Sequence, residues 1–381
     1  INDGNYTSKW LNSNNRPVIF DFGASASFDS YQITTGNDAS ERDPVRWMLE
    51  TSDDGTTWKT LEAVNNYPMP SERRTQTGKL PLSGTSAVWT GAASAVWDTA
   101  ATNWAASGTS TPAIAFRNNE PAFFDDSAAV RQVTIGSPVS PSVIEVNNTG
   151  EDPYVLVGQP ITGLGGLVKR GTGELFLASP NTFSGSIYSL GGTLTAGHAN
   201  ALGAADTEQR LELGGGSTLH VLNSMRTQRR GVVRDGGATV NVESGVVFNK
   251  VGLLDFYGTL HKTGFGTLRL EGYAGSRSPA ETDLVIDEGV VEFAHRYYPT
   301  SAPYPASTLK IVVNEMGTLR FGASSPLGGH HTFTTLSTEQ ILVNEGGTFD
   351  VAANLTYFPL GTVGAPGAEQ GRLALKGGTL T

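Results

Sequence analysis

Two stretches of eleven residues, Leu167-Val-Lys-Arg-Gly-Thr-Gly-Glu-Leu-Phe-Leu177 and Leu260-His-Lys-Thr-Gly-Phe-Gly-Thr-Leu-Arg-Leu270, share one pattern. In both, leucine, lysine, glycine, glycine, leucine and leucine occupy every second position. Alternation with period two is typical of a strand that buries one side chain in two, and the central glycines indicate a tight corner. Each stretch therefore predicts two short strands joined at a corner.

A shorter phrase recurs along the second half of the chain. It consists of a glycine, one or two small or aliphatic residues, and then an apolar residue. It lies at Gly192, Gly216, Gly237, Gly258, Gly266, Gly289, Gly317, Gly347 and Gly378. Without Gly266, which follows Gly258 by 8 residues, the intervals are 24, 21, 21, 31, 28, 30 and 31 residues. Such intervals are typical of one solenoid turn, and turns stack about 4.8 Å apart because a single turn cannot bury its apolar face.

The distribution of aromatic residues divides the chain into two regions. All six tryptophans lie in the first 104 of 381 residues, at Trp10, Trp47, Trp58, Trp89, Trp97 and Trp104. Large aromatic side chains fill the space between two sheets, whereas a solenoid has narrow layers of aliphatic residues. We therefore predict an all-β chain. It has a jelly-roll-like β-sandwich over 1–84, a linker and entry cap over 85–132, and a parallel β-helix over 133–381 that continues beyond the chain end.

Charge and composition exclude several classes of protein. The 26 basic and 36 acidic residues give a net charge of −10 without a basic cluster, so we expect no nucleic-acid partner. No apolar run approaches the roughly 18 to 20 residues that cross a bilayer, so we expect no membrane insertion. The absence of cysteine excludes disulfides and thiolate sites. Because the first residue is Ile1 rather than Met, we expect a piece of a longer protein.

Five segments near the N-terminus keep a fixed order. They are Asp3-Gly-Asn-Tyr-Thr7 with Trp10, Ile19-Phe-Asp-Phe-Gly23, Tyr31-Gln-Ile33, Glu41-Arg-Asp-Pro-Val-Arg-Trp47 and Ser52-Asp-Asp-Gly-Thr-Thr-Trp58. In this order they resemble the discoidin (coagulation factor 5/8 C-type) family, which implies a galactose-binding-like jelly roll over about residues 1–82. The alternating segments 18–22 and 28–34 predict strands, and the Asp-Gly turn at 52–55 predicts a hairpin. The family's opening strand is missing, and its closing arginine-rich strand is reduced to Arg73-Arg74.

The resemblance implies a candidate calcium site. Members of the family often hold a structural calcium around the Asp-Gly segment, which maps onto Asp3, Asn5 and Thr7. Oxygen donors on a tight turn suit this hard cation. The alternative is a turn held only by side-chain to backbone hydrogen bonds.

A second polar cluster is a candidate sugar-binding site. It contains Asn37, Asp38 and Arg42, and arginine and carboxylate groups form paired hydrogen bonds to hydroxyls. The alternative, which we favour, is a structural ion pair at the entry of a strand.

Several further segments resemble the repeats of a second family. They are Asn181-Thr-Phe-Ser-Gly185, Gly191-Gly-Thr-Leu194, Ala201-Leu-Gly203 and, upstream, Trp89-Thr-Gly91 with Trp97-Asp98 and Asn103-Trp104. Together with the eleven-residue phrases they resemble the autotransporter-associated β-strand repeat of bacterial passenger proteins. The resemblance implies a right-handed parallel β-helix on a secreted or cell-surface bacterial protein.

No set of residues predicts a catalytic site. Hydrolysis of a polysaccharide needs two carboxylates at a defined separation, whereas the candidates are scattered. They are Asp125, Asp126, Asp283, Asp287, Glu288, Glu315 and Glu345. Asn314-Glu315 and Asn344-Glu345 precede equivalent glycines, which indicates repeat-turn residues. The six histidines show no His-x-x-x-His spacing.

The longest interruption of the repeats, residues 277–305, contains three tyrosines beside prolines. Tyr297, Tyr298 and Tyr304 are a candidate surface for sugar or protein recognition. The alternative, which we favour, is a loop packed on the flank of the solenoid.

Three functions remain open from the sequence. The first is a non-catalytic, secreted or cell-surface bacterial protein, an adhesive or structural stalk that binds glycans or a neighbouring surface through its discoidin-like domain. The second is a subunit of an extracellular fibre or surface layer, because Lys376-Gly-Gly-Thr-Leu-Thr381 ends in mid-repeat and offers an edge on which further repeats or copies stack. The third, which we disfavour, is a polysaccharide-degrading enzyme.

Overall fold

The computed structural model of the chain describes residues 17–56, 58–64, 67–82, 87–106, 113–204, 209–272, 274–276, 282–294, 309–321, 339–351, 372–375 and 379–380. Within these ranges the only helix is a 3-10 turn at Ser40–Arg42, and all other regular structure is β-strand. The prediction of an all-β chain is confirmed. No helix in the described ranges is long and apolar enough to cross a membrane.

The strands are short, and most contain two to five residues. Before residue 83 they are β1 (Ser30–Tyr31), β2 (Trp47–Thr51), β3 (Lys59–Val64) and β4 (Leu80–Pro81). Up to residue 204 they are β5 (Ala87–Trp89), β6 (Val96–Trp97), β7 (Trp104–Ala106), β8 (Ala113–Ile114), β9 (Ala122–Asp125), β10 (Gln132–Ile135), β11 (Val143–Asn147), β12 (Tyr154–Gly158), β13 (Gly166–Arg170), β14 (Glu174–Leu177), β15 (Ile187–Ser189) and β16 (Thr193–Ala196).

The remaining strands continue the same winding. Up to residue 276 they are β17 (Arg210–Leu213), β18 (Ser217–Val221), β19 (Met225–Thr227), β20 (Arg230–Val233), β21 (Ala238–Val242), β22 (Val247–Val251), β23 (Leu254–Phe256), β24 (Leu260–Thr263), β25 (Thr267–Glu271) and β26 (Ala274–Ser276). Beyond it they are β27 (Leu284–Phe293), β28 (Ile311–Phe321), β29 (Glu339–Val343), β30 (Thr348–Val351), β31 (Arg372–Leu375) and β32 (Thr379–Leu380).

From β5 onward these strands form a solenoid whose faces are stacks of parallel strands. The first face contains β5, β9, β11, β13, β15, β17, β20, β23 and β26. The second face contains β6, β10, β12, β14, β16, β18, β21, β24, the starts of β27 and β28, β29 and β31. The third face contains β19, β22, β25, the ends of β27 and β28, β30 and β32. The predicted parallel β-solenoid is confirmed.

The recurring glycine phrase marks two faces rather than one. Its apolar residues form one column on the second face, Leu194, Leu219 and Val240, and another on the third face, Leu268, Val291, Leu319 and Phe349. The phrase at Gly266, which was left out when the intervals were counted, therefore supplies the first residue of the third-face column, Leu268. The interval of 31 residues from Gly258 to Gly289 joins two different columns. The intervals from Gly192 to Gly237 therefore correspond to one turn each, as predicted, whereas the interval from Gly258 to Gly289 does not.

The third face changes character near residue 225. In the coils from 113 to 204, which we call the early coils, its place is taken by bends joined by backbone hydrogen bonds, such as Phe183 N–H to the Ile161 carbonyl at 3.1 Å. In the coils from 209 to 351, which we call the late coils, it is a ladder of parallel strands beginning at β19. The early coils therefore contain two strands each, whereas the three coils from β17 to β25 contain three strands each.

Arg229 lies at this transition and is completely buried. Its guanidinium donates hydrogen bonds to the backbone carbonyls of Gly185 at 2.5 Å, Leu202 at 3.1 Å and Phe183 at 3.3 Å. It also lies 5.6 Å from the centre of the Phe183 ring. The Arg229 guanidinium thus donates hydrogen bonds to backbone carbonyls of the early bends, at the point where no further strand stacks on these bends.

Lysine fills the interior at the corners of both eleven-residue phrases. Lys169 and Lys262 are fully buried. The Lys262 ammonium donates to the carbonyls of Thr263 at 2.7 Å and Gly264 at 2.6 Å, and Lys169 contacts the carbonyls that follow it in the same way. The first phrase turns from the first face to the second, whereas the other turns from the second to the third. The phrase is therefore a corner motif that is independent of the face.

The first coil is closed by an aromatic cluster. The rings of Trp89, Trp97, Trp104, Phe116 and Phe124 are buried, and their centres lie 5.2 to 6.0 Å apart in the contacting pairs. Two antiparallel strands, β7 and β8, extend the first face beyond β5 and cover that edge. Three of the six tryptophans thus belong to the solenoid entry.

The region before residue 83 forms two antiparallel pairs. β2 pairs with β3 around the predicted turn at 52–55, and β1 pairs with β4. The strand predicted over 18–22 is not formed in the structure, because the described residues offer no strand to pair with it. Ile19, Phe20 and Phe22 are exposed there. The strand predicted over 28–34 is reduced to β1 and a single bridge from Thr34 to Gln76.

Candidate functional site

A rim formed by two loops brings together the three polar residues of this region that were predicted to bind sugar. The rim consists of residues 36–43 and 72–75. Asp43 accepts two hydrogen bonds from the Arg73 guanidinium, at 2.6 and 2.8 Å. The same guanidinium donates to the Asp38 carbonyl at 3.1 Å, and Arg74 N–H donates to the Gly36 carbonyl at 3.1 Å. An ion pair thus fastens the two loops together.

The side chains predicted as sugar ligands lie on this rim. Asn37, Asp38 and Arg42 are exposed and occupy one loop. Ala39 and Arg74 adopt left-handed backbone angles, with φ of 45° and 57°, which is strained for residues other than glycine. The rim therefore presents amide, carboxylate and guanidinium groups on a constrained backbone, which is chemistry that suits hydroxyl groups.

Asp43, shortly before β2, forms an ion pair with an arginine other than Arg42. Asp43 pairs with Arg73, and Arg42 remains exposed. The hydrogen bonds that Arg73 donates to Asp43 keep the pKa of its guanidinium above its usual value. The Arg73-Arg74 pair is visible in the sequence. Only the fold shows that Arg73 pairs with Asp43, thirty positions away.

Two of the predicted ligand sets lie outside the described residues. These are Asp3, Asn5 and Thr7 for calcium, and Tyr297, Tyr298 and Tyr304 for recognition. Both sets stay predictions. In the described ranges no group of three or more histidine, aspartate or glutamate side chains is arranged to hold a metal ion.

The carboxylates considered for catalysis hold neighbouring coils together. Asp126 accepts from the Thr149 hydroxyl at 2.6 Å and pairs with Arg131 at 3.0 Å. The Thr149 hydroxyl is also the first cause of the lowered pKa of Asp126. Asp287 accepts from Asn314 at 2.7 Å and lies 2.8 Å from the His261 ring nitrogen. These carboxylates do not form a hydrolytic pair in the described structure.

The turn residues before the late glycines form a ladder along the solenoid. Asn344 donates an amide hydrogen bond to Asn314 at 2.8 Å, and Asn314 continues the chain of bonds to Asp287. The adjacent Glu315 and Glu345 are exposed. Glu345 lies in a turn, as expected, whereas Asn314 and Glu315 lie within β28.

The β2–β3 hairpin docks on the outer side of the first face. The Thr60 backbone N–H donates to the Glu145 carboxylate at 3.0 Å, and the Lys59 ammonium lies 5.1 Å from the centre of the Phe123 ring. Arg170 forms an ion pair with Glu50 and approaches Glu145 at 3.7 Å. These contacts span three successive strands, β9, β11 and β13, so the rim-bearing region is held directly on the solenoid.

Burial affects the charged groups of this docking contact. Glu145 is 3% exposed, and desolvation raises the pKa of its carboxyl group. Desolvation also lowers the pKa of Arg170 to about 10. The sequence pattern did not reveal this contact, because its partners lie 64 to 120 residues apart.

Comparisons with known proteins agree with both resemblances. Residues 1–87 match the F5/F8 type C family model described as "NedA-like, galactose-binding domain". The chain is also 33% identical over 141 residues to the "Adhesin BmaC autotransporter" of Brucella suis biovar 1 (strain 1330), which covers 36% of this chain. The chain spans 4% of the length of that relative. No solved structure matches the chain. Residues 1–87 are thus similar to a galactose-binding-like domain, and part of the chain is similar to part of an autotransporter adhesin.

Proposed function

We propose that this chain is a non-catalytic adhesive segment of a bacterial surface or extracellular protein. Its galactose-binding-like domain binds a glycan, and its β-solenoid is the stalk. The observation that carries the proposal is the docking of the β2–β3 hairpin on Phe123, Glu145 and Arg170, which holds the rim-bearing domain on the stalk. The matched domain type and the named adhesin among its relatives support it.

The rim is the part of this domain that we assign to the glycan. Asn37, Asp38 and Arg42 offer donors and acceptors to sugar hydroxyls, while the Asp43–Arg73 pair keeps the loops in place. A carboxylate beside a guanidinium recognises vicinal hydroxyls through paired hydrogen bonds. The ligand class is therefore a neutral or weakly charged oligosaccharide.

A glycan array with the full chain tests this proposal. We expect binding to a defined set of glycans, and at least about a tenfold loss of affinity in Asp38→Ala and in Arg42→Ala, since lost charged hydrogen bonds cost about 1.5 to 3 kcal/mol each. Asp38→Ala keeps the backbone carbonyl that Arg73 uses, so the loop stays fastened. Arg226→Ala, an exposed residue of the solenoid, is the matched control.

The same experiment is run with calcium and with a chelator. Dependence on calcium would support the predicted site at Asp3, Asn5 and Thr7. Unchanged binding in both rim variants would refute the assignment of the rim, and an array without signal would refute the glycan ligand.

The alternative of a fibre that grows by end-to-end stacking requires coil edges that are open. At the entry of the solenoid, β7 and β8 pair antiparallel beyond β5 and cover the edge of the first face. Antiparallel strands do not continue a parallel ladder, which argues against growth at that edge. The enzyme alternative has no observation in its favour among the described carboxylates.

A further inference from the structure

The first face carries a local excess of positive charge beyond the strands that the hairpin covers. Arg210 in β17 and Arg230 in β20 are in register, and Arg234 directly follows β20. Between 25 and 35% of each of these three side chains is exposed. Their carboxylate partners are only two, Glu212 and Asp255. In a chain with a net charge of −10, this patch is therefore a place where an anion can bind.

The three arginines differ in their hydrogen-bond acceptors. Arg234 Nε donates to Glu212 Oε1 at 2.6 Å, and Arg230 donates to Asp255 Oδ2 at 2.6 and 3.0 Å. The Arg210 guanidinium lies 3.6 Å from Glu212 Oε2, which is too far for a hydrogen bond. It donates no hydrogen bond to any residue in the described ranges. Its N–H groups are thus available to an external acceptor.

Glu212 has the complementary deficit. Its side chain is 6% exposed, and Oε2 accepts no hydrogen bond from the described part of the chain. A buried carboxylate oxygen without a donor is costly. A guanidinium without an acceptor and a carboxylate oxygen without a donor therefore lie side by side. A ligand that satisfies both must carry an anionic group and a hydroxyl group next to each other.

Two neighbouring residues favour an acidic sugar as this ligand. Arg230 lies directly opposite Arg210 on a strand about 4.8 Å away, and like charges in such a pair repel each other. An anion bound between the two guanidinium groups offsets this repulsion. On the other side, Tyr188 in β15 is in register with Glu212 and is partly exposed. An aromatic ring beside polar groups suits the apolar face of a sugar ring.

We propose that Tyr188, Arg210, Glu212 and Arg230, which we call the Arg210 site, bind an acidic sugar of a polysaccharide. The Arg210 guanidinium turns away from Glu212 towards the acidic group of the sugar, and Arg230 adds a second positive charge. A hydroxyl of the same sugar takes the vacated place and donates to Glu212 Oε2, while Tyr188 contacts the ring. The site lies on the stalk and shares no residue with the rim, so it does not rest on glycan binding by the N-terminal domain.

Biolayer interferometry of the full chain against immobilised polymers tests the proposal. We expect binding to polygalacturonate or dextran sulfate, and the polymer that binds identifies the acidic group as a carboxylate or a sulfate. Neutral dextran has hydroxyls without charge, and polyglutamate has charge without hydroxyls. We expect neither of these two to bind, because each satisfies only one half of the site.

Variants assign the binding to the Arg210 site. Arg210→Gln should lower the affinity at least about tenfold, since it removes charge-assisted hydrogen bonds to the acidic group. Arg226→Gln makes the same change at an exposed position in β19 and should bind like the wild type. Asp38→Ala and Arg42→Ala on the rim should also bind like the wild type. Circular dichroism verifies that each variant is folded.

Three results would overturn the proposal. The first is an absence of binding to both acidic polysaccharides. The second is an unchanged affinity in Arg210→Gln, which would place any acidic ligand elsewhere on the chain, including the rim if Arg42→Ala binds more weakly. The third is equal binding to polyglutamate, which would show that the patch attracts any polyanion without recognising a sugar.

Discussion

The early and late coils solve the same packing problem with different backbone structure. In the early coils the third side consists of bends held by individual hydrogen bonds and by buried polar side chains, such as Asn181. In the late coils it is a ladder of parallel strands that starts at β19. The inner surface is mainly aliphatic in both regions, with aromatic residues concentrated at the entry. The comparison shows that the interior defines a solenoid coil, while the number of strands per coil is free to vary.

The largest effect is expected at the boundary between these regions. Arg229→Met keeps the apolar stem but removes the donors to the carbonyls of Gly185 and Leu202. Leaving two buried carbonyls without these donors should lower the free energy of unfolding by about 3 kcal/mol. Denaturant titration measures the change, with Arg226→Met as the exposed control. A variant as stable as the wild type would show that the boundary needs no cation.

Substitution of the corner glycines tests whether the early and late coils use the same turn. Gly171 in the early coils and Gly264 in the late coils have φ of +66° and +72°, and an added Cβ would lie 2.2 and 2.4 Å from a backbone carbonyl oxygen. Alanine at either position should cost about 3 kcal/mol, from the left-handed backbone together with the overlap. Gly245→Ala, with φ of +76° and open space, should cost only about 1 kcal/mol. Losses that differ strongly between Gly171→Ala and Gly264→Ala would contradict a shared corner.

Asparagine side chains should matter more in the early coils than in the late ones. Asn181 is buried and bridges from the Ile161 N–H to the Ala201 carbonyl, at 2.9 and 2.8 Å. Asn314 is half-buried within the surface ladder. We expect Asn181→Ala to cost about 2 kcal/mol and Asn314→Ala less than about 1 kcal/mol, by thermal or denaturant unfolding. The reverse order would mean that the ladder, and not the bend, holds its region.

The remaining effect is a dependence on pH that both regions share. Burial lowers the pKa of Lys169 and Lys262 to about 8 and that of Lys250 to about 7, from 10.5. Between those values and 10.5 the unfolded chain binds more protons than the folded chain, so stability should rise as the pH increases from 7 towards 10. The gain is on the order of 1 kcal/mol for each lysine per pH unit. Lys262→Met should reduce this slope, and a stability that falls over the range would contradict the assignment of neutral interior lysines.

The sequence predicted what is periodic and local. Alternation and paired glycines identified the corner phrases, and the interval of the glycine phrase gave the length of a turn. The change from two to three strands per coil was not predicted, because the interior residues alternate in the same way on all faces. The pairing of Asp43 with Arg73, the docking of Thr60 on Glu145 and the role of Arg229 were also missed. Each of these contacts joins residues 27 to 85 positions apart through backbone or charged groups, and such contacts produce no periodic pattern in the sequence.

The hairpin that spans three coils has a mechanical consequence. Tension along the solenoid axis pulls directly on the hydrogen bonds between stacked strands, so the coil at the end of the rod would be the first to peel away. Lys59, Thr60 and Glu50 contact β9, β11 and β13 respectively. A load applied to the rim is therefore shared among three coils instead of acting on the single covalent connection at the entry. The first three coils should yield together, at a higher force than any coil further along.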